Sequence, residues 1–397
     1  MRVLLVHNHY GSEAPSGENR VFELERDLLV RNGHTIETFE RHSDTLIARG
    51  NLGLLSGAIS TPWNFASAKQ MRDVIQYFRP EVVHVHNTFP IISSSIFPAA
   101  RGVARILTLH NFRLFCPAAI PIRAGEVCTL CLDRRSVLPS LRYSCYRRSR
   151  VATLPLAVST VLHRFLRTWE RDIEVFIVLT EFQRDLMISA GLPEDKIAIK
   201  PNFSPGKPQS VPWSQRKDRV VFVGRLSPEK GVEDLIDAWL TWGENAPELR
   251  IIGDGPLLNT LRQRAEGRRN VVFLGHVAAE VVVVELAQAK LLVLPSMFET
   301  FGLVLIEAFQ TGTPVCVSNR GPLPRIAFDA RGIVFRAGDP LDLLAKVKSV
   351  WGDQERLTLM SEASIRCFEA RYSERVSYDA LISIYERAIE RASRGRR

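Results

Sequence analysis

The chain has 397 residues, of which 46% are hydrophobic and 24% charged, and its formal net charge is +9 at pH 7. This length and apolar content are sufficient for two globular domains that each bury a core. No run of 18 apolar residues occurs, which excludes a transmembrane helix, and the first apolar run, residues 3–6, is too short for a signal peptide. We therefore expect a cytoplasmic protein.

The positive charge is concentrated in one region. Residues 101–171 contain 13 arginines, no lysine and only three acidic residues. A clustered basic region indicates an anionic partner, which could be a phospholipid surface, a diphosphate-linked acceptor or nucleic acid. Because the sequence has no RNA-binding motif and no repeated aromatic platform, we expect no nucleic-acid partner.

The N-terminal part begins with a strand–turn–helix pattern. Residues 2–6 read as a buried strand, residues 7–17 as a turn that contains Gly17, and residues 18–32 as a helix. This turn lacks the G-x-G-x-x-G fingerprint, which argues against an NAD-binding domain. After a strand over residues 35–39, a polar and glycine-containing stretch extends to Thr61, and no helix is predicted for it.

Histidines mark the ends of the next two predicted strands. His84 and His86 lie on one face of a strand over residues 81–86, since strand side chains alternate. No third metal ligand is evident nearby, so structural hydrogen bonding is favoured over a metal pair. His110 follows a strand over residues 106–109, at the end where catalytic groups gather in parallel sheets.

Residues 113–150 interrupt the strand–helix alternation and contain four cysteines, with 11, 2 and 13 residues between neighbours. One C-x2-C pair with two flanking cysteines fits a structural zinc site with four thiolates. Free core thiols and disulfides are the alternatives. Such a zinc ion would not be catalytic, because four thiolates leave no open position. The candidate ligands are Cys116, Cys128, Cys131 and Cys145.

A helix is predicted over residues 151–169, with an apolar face flanked by Arg164 and Arg167. It either lies on an anionic membrane or belongs to the core of the first domain. A linker with four prolines follows over residues 201–217, and the strand–helix alternation then restarts. These features predict a second domain of the same α/β class.

The second domain opens with Gly224-Arg225-Leu226 and Lys230-Gly231 between a strand and a helix. Two cations at such a junction can bind a diphosphate, with the amides of the helix facing it. A further strand-to-helix turn contains Gly255.

Two carboxylates frame the next strand–turn–helix unit. Residues 291–294 read as a buried strand, residues 295–300 as a turn, and residues 301–310 as a helix. Glu299 lies at the carboxyl end of the strand, where open α/β sheets bind ligands, and the amides of residues 300–303 are expected to start the helix. Glu307 has apolar neighbours, so its carboxylate should be paired or bound to a ligand.

The E-x7-E arrangement of Glu299 and Glu307, with Phe301-Gly302 inside it and Gly-Thr-Pro-Val after it, resembles the donor-site signature of glycosyltransferase family 4. That family comprises retaining enzymes with the GT-B fold, in which two Rossmann-like domains face each other across a cleft and a C-terminal helix returns to the first domain. The resemblance implies an N-terminal acceptor domain over residues 1–204, a nucleotide-sugar domain over 205–372 and a returning helix over 373–397.

The resemblance also implies roles for individual residues. Arg225 and Lys230 stabilise the diphosphate, Glu307 binds the ribose hydroxyls, and Glu299 and His110 contact the donor sugar, with no metal required for catalysis. The remaining donor-site residues are Gly17, Gly224, Gly255, Phe301, Gly302 and Leu303.

Three local features bear on that resemblance. Ser16-Gly17-Glu18 resembles the family's Gly-Gly-Glu loop, with Ser16 replacing the first glycine. Arg325 stands in a segment where the family usually has an acidic residue. A subset of the family carries a similar cysteine-rich insertion after the His-Asn segment.

We therefore predict a retaining glycosyltransferase that moves a sugar from a nucleotide-diphosphate donor to a glycan or lipid-linked glycan in cell-surface polysaccharide synthesis. It would be peripheral on the inner face of a membrane. The alternatives are a sugar-nucleotide epimerase on the same fold and a non-catalytic, arginine-rich binding protein.

Overall fold

The computed structural model describes residues 1–11 and 17–394, so Ser16 lies outside the described residues. The chain divides into two compact units. Unit 1 comprises residues 1–121, 128–201 and 378–397, and unit 2 comprises residues 122–127 and 202–377. The first unit therefore combines the N-terminal half of the chain with its C-terminal end.

The strands alternate with helices along nearly the whole chain. In chain order the strands are β1 Arg2–His9, β2 Thr35–His42, β3 Val82–Asn87, β4 Ala104–Thr108, β5 Ile122–Arg123, β6 Glu126–Val127, β7 Val175–Val178, β8 Ile197–Ile199, β9 Lys217–Val223, β10 Glu248–Ile252, β11 Val271–Gly275, β12 Ala289–Leu294, β13 Val315–Ser318 and β14 Ile333–Phe335. Apart from the small antiparallel hairpin of β5 and β6, neighbouring strands pair in parallel.

The helices are likewise numbered in chain order. They are α1 Gly17–Arg31, α2 Asp44–Ile47, α3 Gly50–Ser60, α4 Phe65–Phe78, α5 Ile96–Ala99, α6 Leu130–Asp133, α7 Leu138–Arg142, α8 Arg150–Phe165, α9 Thr168–Arg171, α10 Glu181–Ser189, α11 Val232–Trp242, α12 Leu258–Arg264, α13 Ala279–Gln288, α14 Leu303–Gln310, α15 Leu323–Asp329, α16 Pro340–Trp351, α17 Gln354–Arg371 and α18 Glu374–Arg394. None of them, within the described residues, is long and apolar enough to cross a membrane.

The described residues of unit 1 form a six-stranded sheet in the order β2-β1-β3-β4-β7-β8. Residues 3–9 of β1 and all of β3 and β4 are buried, as expected for central parallel strands covered on both faces. The strand order reverses between β1 and β3. Ligands of such sheets bind at this point, beyond the carboxyl ends of the strands.

Helix α18 packs on the sheet of unit 1. Its Leu381, Tyr385 and Ala388 belong to the same buried cluster as Val3 of β1 and Ile106 of β4. The Tyr385 hydroxyl lies 2.9 Å from Nδ1 of His84 on β3. The predicted return of the C-terminal helix to the first domain is therefore confirmed.

Unit 2 contains a second parallel sheet in the order β11-β10-β9-β12-β13-β14. This is the strand order of a dinucleotide-binding Rossmann domain, with the reversal between β9 and β12. The predicted pair of Rossmann-like domains is confirmed.

The segment before Thr61 differs from the prediction. It contains α2 and α3, although the sequence indicated no helix there. Glycines lower the helix propensity of this segment, and its apolar residues show no stripe that would face a core. The apolar side chains of α3 form no core-facing stripe because they are exposed. Leu52, Leu55 and Ile59 are 78%, 58% and 70% exposed.

Leu381→Ala should lower the free energy of unfolding by about 2–5 kcal/mol, because it opens a cavity beneath α18. Leu381 is fully buried, whereas Val376 on the same helix is 36% exposed. Val376→Ala is therefore the matched control and should cost less than about 1 kcal/mol. Denaturant unfolding followed by circular dichroism measures both, and equal losses would show that α18 does not contribute to this core.

Candidate functional site

The strand reversal in unit 2 brings two of the predicted motifs together. The chain leaves β9 through Gly224 to Gly231 and leaves β12 through Pro295 to Gly302. The two loops touch at Gly231, whose φ is +64° and where a Cβ atom would lie 2.1 Å from the carbonyl oxygen of Pro295. A side chain at position 231 would push the loops apart, so this glycine is required for their close approach.

Lys230 and Glu299 meet across these loops. The ammonium Nζ of Lys230 donates a hydrogen bond to Oε1 of Glu299 at 2.5 Å, and the Ser296 hydroxyl donates to the same oxygen at 2.8 Å. The Glu299 side chain is 10% exposed and that of Lys230 is 24% exposed. The sequence placed these two residues in separate motifs, and the structure makes them one ion pair.

The pair keeps binding capacity on both partners. An ammonium group has three donors, so two remain on Lys230 after the bond to Glu299. Both hydrogen bonds to the Glu299 side chain go to Oε1, and within the described residues none is formed to Oε2. One side of this pair can therefore bind an anion while the other accepts a bond from a hydroxyl group.

Arg225 lies at the start of the same loop and is exposed. Gly224 before it donates its backbone N–H to the carbonyl oxygen of Ile252 at 2.9 Å, which fixes the exit from β9. Gly255 packs against this loop, because a Cβ atom there would lie 2.5 Å from the carbonyl oxygen of Leu226. The predicted residues Gly224, Arg225 and Gly255 thus lie together at this edge of the sheet.

The turn before α14 corrects one detail of the sequence prediction. The helix starts at Leu303 rather than at Phe301, because Gly302 has a left-handed φ of +88°. Thr300 and Phe301 therefore belong to the turn, and the helical amides begin later than expected. Phe301 is 3% exposed and packs against Tyr372, with ring centroids 6.1 Å apart.

Glu307 lies inside α14 and is 7% exposed. Its neighbours Leu305, Ile306 and Ala308 are fully or almost fully buried. Glu307 thus lies in a buried part of the helix, and its proposed contact with a ribose stays a prediction.

In unit 1 the predicted residues gather at the carboxyl ends of β1 and β4. Asn111 follows β4 and donates from Nδ2 to Oε1 of Glu18, in the first turn of α1, at 2.8 Å. Gly17 is the first residue of that helix. Burial raises the pKa of Glu18 and of the neighbouring Tyr10 above their usual values. The Gly17-Glu18 and His110-Asn111 segments thus form one cluster.

His110 belongs to a buried row of polar side chains. Its Nε2 lies 3.0 Å from Nδ1 of His86, and both residues line a pocket of unit 1 with Asn87, Asn111 and Arg113. Burial lowers the pKa of both imidazoles well below 6.5, so both rings are neutral at pH 7.

Sequence reasoning missed Glu25 and Lys200. Lys200 donates from Nζ to Oε1 of Glu25 at 2.5 Å, and both side chains are 2% exposed. Glu25 could have been found, because it occupies the apolar face of α1 between Phe22 and Leu28. The expectation that His84 and His86 have no third ligand nearby is wrong, since Glu25 lies 3.9 and 3.5 Å from their ring nitrogens.

A metal ion is poorly suited to this buried group. Within the described residues, Glu25, His84 and His86 bring ligand atoms within 4.8 Å of one another. The Lys200 ammonium, however, already compensates the charge of Glu25 and would repel a cation. A second such group, His9, Glu40 and His42, lies at the ends of β1 and β2.

The four insertion cysteines lie near one another, and neither group includes them. Burial, reinforced by the other three thiols, raises the pKa of Cys116 to about 12. Burial likewise raises the pKa of Cys131 to about 11. The zinc site stays a prediction.

Two families match the chain, one over each half. The family described as "Glycosyltransferase Family 4" matches residues 17–203, and the family described as "Glycosyl transferases group 1" matches residues 205–366. An uncharacterized glycosyltransferase of Methanocaldococcus jannaschii is 29% identical over 92% of this chain and 93% of its own length. The 2-deoxystreptamine N-acetyl-D-glucosaminyltransferase of Streptomyces fradiae is 27% identical over 80% of this chain and 73% of its own.

The fold is shared with a solved structure. The crystal structure of Anabaena HepE in complex with UDP superposes with a TM-score of 0.64, at 16% identity, over 99% of this chain and 100% of that one. Both family matches and the two parallel six-stranded sheets agree with this fold. The chain is therefore a glycosyltransferase of the family 4 type with the GT-B fold.

Proposed function

We propose that the protein transfers a hexose from a nucleotide-diphosphate sugar to a glycan or lipid-diphosphate-linked glycan, with retention of anomeric configuration, in cell-surface polysaccharide synthesis. The observation that carries the proposal is the Lys230–Glu299 pair at the strand reversal of unit 2. At that position the cation can bind the diphosphate of a nucleotide sugar, and the carboxylate can accept a hydrogen bond from a hydroxyl of its sugar.

In the proposed reaction the bond between the anomeric carbon and the phosphate breaks, and negative charge grows on the departing diphosphate. Arg225 and Lys230 stabilise that charge, so no metal ion is required for this step. Glu299 accepts from the donor sugar through Oε2, His110 contacts the same sugar, and Glu307 holds the ribose. The acceptor hydroxyl attacks the anomeric carbon from the face that the diphosphate leaves and gives its proton to the departing phosphate oxygen, so the configuration is retained.

We also propose that unit 1, the acceptor domain, docks on a membrane. On α8 the residues Val151, Leu154, Val158, Val161 and Phe165 are between 45% and 82% exposed. Their spacing of three or four residues places them on one face of the helix. Helix α3 packs beside α8 and adds three leucines and an isoleucine that are at least 49% exposed. We call the exposed apolar residues of α3 and α8 the α3–α8 surface.

The charges beside this surface select an anionic bilayer as its partner. Arg147, Arg148 and Arg150 are exposed just before and at the start of α8, and Arg167 is exposed just after it. Each arginine near an anionic surface contributes about 1 kcal/mol of attraction. The opposite face of α8 is buried, with Leu156 and Ala157 at 4% and 2% exposure, so this helix serves both the core and the surface.

We further propose that Cys116, Cys128, Cys131 and Cys145 bind a structural zinc ion. The segment between them has only short elements, including α6, α7 and the β5–β6 hairpin, and a metal would compensate for its small core. Zinc would displace the thiol protons that burial retains on Cys116 and Cys131.

Arg225→Ala and Lys230→Ala should each lower kcat/KM for glycosyl transfer by about 100-fold or more, since each removes a charge that stabilises the leaving group. The same variants should lose the rise in melting temperature that the cognate nucleoside diphosphate causes in the wild type. A panel of UDP, GDP, ADP and dTDP identifies the nucleotide, and UDP is tested first because Anabaena HepE was also solved with UDP-glucose.

Lys346→Ala is the matched control, because Lys346 is an exposed lysine on α16 of the same unit. It should keep both activity and stabilisation. Conversion of the nucleotide sugar without any acceptor would indicate an epimerase instead. An inverted anomeric centre in the product, read from NMR coupling constants, would contradict retention.

Phe165→Glu should reduce binding to vesicles that contain anionic phospholipid by about tenfold or more, because burial of a phenylalanine contributes about 1.5–3 kcal/mol. Phe165 is 81% exposed and lies on the α3–α8 surface, whereas Phe328 on α15 of unit 2 is 79% exposed. Phe328→Glu is therefore the matched control in a vesicle co-sedimentation assay. Equal binding of both variants, or wild-type binding that ignores lipid charge, would contradict this docking surface.

Purified protein should contain about one zinc ion per chain, measured by elemental analysis. Cys131→Ser should lose it, since three thiolates hold zinc less tightly than four. Cys316→Ser, which alters a buried cysteine of unit 2, should retain it. Wild-type protein without zinc and with six thiols titratable after unfolding would refute the site.

A further inference from the structure

Four buried side chains form a continuous row that ends at His110. Lys200 Nζ lies 2.5 Å from Oε1 of Glu25, Glu25 Oε2 lies 3.5 Å from Nε2 of His86, and His86 Nδ1 lies 3.0 Å from Nε2 of His110. Lys200, Glu25, His86 and His110 are 2%, 2%, 3% and 7% exposed. Solvent therefore contributes little to the charges and proton positions along this row.

The row starts from a fixed negative charge. Lys200 and Glu25 form a hydrogen-bonded ion pair, and such a pair keeps the carboxylate ionised in a buried site. Glu25 Oε2 and His86 Nε2 are both buried, and neither has a hydrogen-bond partner in the described part of the chain. The two atoms lie 3.5 Å apart, so the negative oxygen faces the ring nitrogen.

That geometry decides where the single proton of the neutral His86 ring is held. A lone pair on Nε2 would face the carboxylate and be repelled, whereas an N–H at that atom is attracted. With the proton on Nε2, Nδ1 of His86 carries the lone pair. The bond of 3.0 Å between the two rings then requires the proton of His110 to be on its Nε2.

We infer that Glu25, acting through His86, holds His110 as the tautomer whose Nδ1 accepts a hydrogen bond from a hydroxyl of the bound sugar. Glu25 is a positioning residue, since it contacts His86 and not the ligand. The inference rests on the proposed function only in assigning that ligand, because the tautomer is a property of the protein alone.

The neighbouring His84 does not oppose this arrangement. Its Nδ1 lies 2.9 Å from the Tyr385 hydroxyl and its Nε2 lies 2.7 Å from Oγ1 of Thr108. A hydroxyl group can donate or accept, so both contacts suit either tautomer of His84. Glu25 Oε2 is 3.9 Å from His84, which is farther than from His86.

The consequence concerns which sugar groups His110 can bind. An acceptor nitrogen binds a hydroxyl that donates, and it rejects an ether oxygen or a second acceptor at the same position. The opposite tautomer would bind those groups and could also be satisfied by a hydroxyl oxygen. Fixing the tautomer therefore makes His110 selective for a free hydroxyl on the donor sugar.

The ring nitrogens can be observed directly by long-range proton–nitrogen NMR of ligand-free protein labelled with 15N-histidine. The His110 signals are assigned by their loss in His110→Gln. The expected wild-type result is a protonated Nε2 and an unprotonated Nδ1 on His110, and a protonated Nε2 on His86. A protonated Nδ1 on His110 in the wild type would overturn the inference without the use of any variant at Glu25.

Glu25→Gln supplies the second arm. Its amide oxygen can still accept from Lys200, and its NH2 group would donate to Nε2 of His86, which reverses the row and moves the His110 proton to Nδ1. Glu23→Gln, on the exposed face of the same helix, is the matched control and should leave the tautomers unchanged. A folded Glu25→Gln protein with the wild-type tautomers would refute the role of Glu25.

Activity is measured on the same samples. We expect kcat to fall in Glu25→Gln and to be unchanged in Glu23→Gln. The predicted tautomers in a protein that transfers no sugar would refute the proposed function and leave this inference intact, so the two failures are distinguishable.

Discussion

The parallel sheet imposes the constraint on which the rest of this protein depends. Parallel strands send every following loop to the same edge, and where the strand order reverses, the loops that follow two neighbouring strands border one ligand crevice. In unit 2 the reversal lies between β9 and β12, and the loops that follow them carry Lys230 and Glu299. Two residues that are 69 positions apart in the sequence thus become hydrogen-bonded partners.

Both units use a lysine–glutamate pair, but the surroundings give the two pairs different uses. Lys230 and Glu299 are partly exposed at the sheet edge, so their unused donors and acceptors remain available to a ligand. Lys200 and Glu25 are almost fully buried, and an unpaired charge there would cost about 3–5 kcal/mol. The first pair is suited to binding, whereas the second can only act on the side chains packed around it.

The structure also relates the arginine-rich region to the exposed apolar side chains of α3 and α8. Exposed side chains such as Leu52 and Phe165 contribute nothing to the folded core and would be costly in a protein with no partner at that surface. Exposed arginines lie at both ends of the apolar face of α8, because Arg147, Arg148 and Arg150 precede or begin the helix and Arg167 follows it. That combination is typical of helices that lie in the interface of an anionic bilayer.

The sequence by itself determined the fold class, the site motifs and their positions at strand ends. Buried parallel strands leave continuous apolar runs, and the turn after each run is short, so Arg225, Glu299 and His110 could be placed without coordinates. The resemblance to glycosyltransferase family 4 also implied a final helix that returns to the first domain, and α18 occupies that position. Sequence patterning failed for α3, since a helix that exposes its leucines lacks the amphipathic pattern by which helices are recognised.

Only the tertiary structure decided which of these residues meet. The pairing of Lys230 with Glu299, of Glu18 with Asn111, and of Glu25 with Lys200 joins distant parts of the chain. Sequence periodicity reports which face of an element a side chain occupies, but it carries no information on the element packed against that face. The start of α14 at Leu303 likewise depended on the left-handed backbone of Gly302, which the fold and not the residue type imposes, because glycine adopts either hand at similar cost.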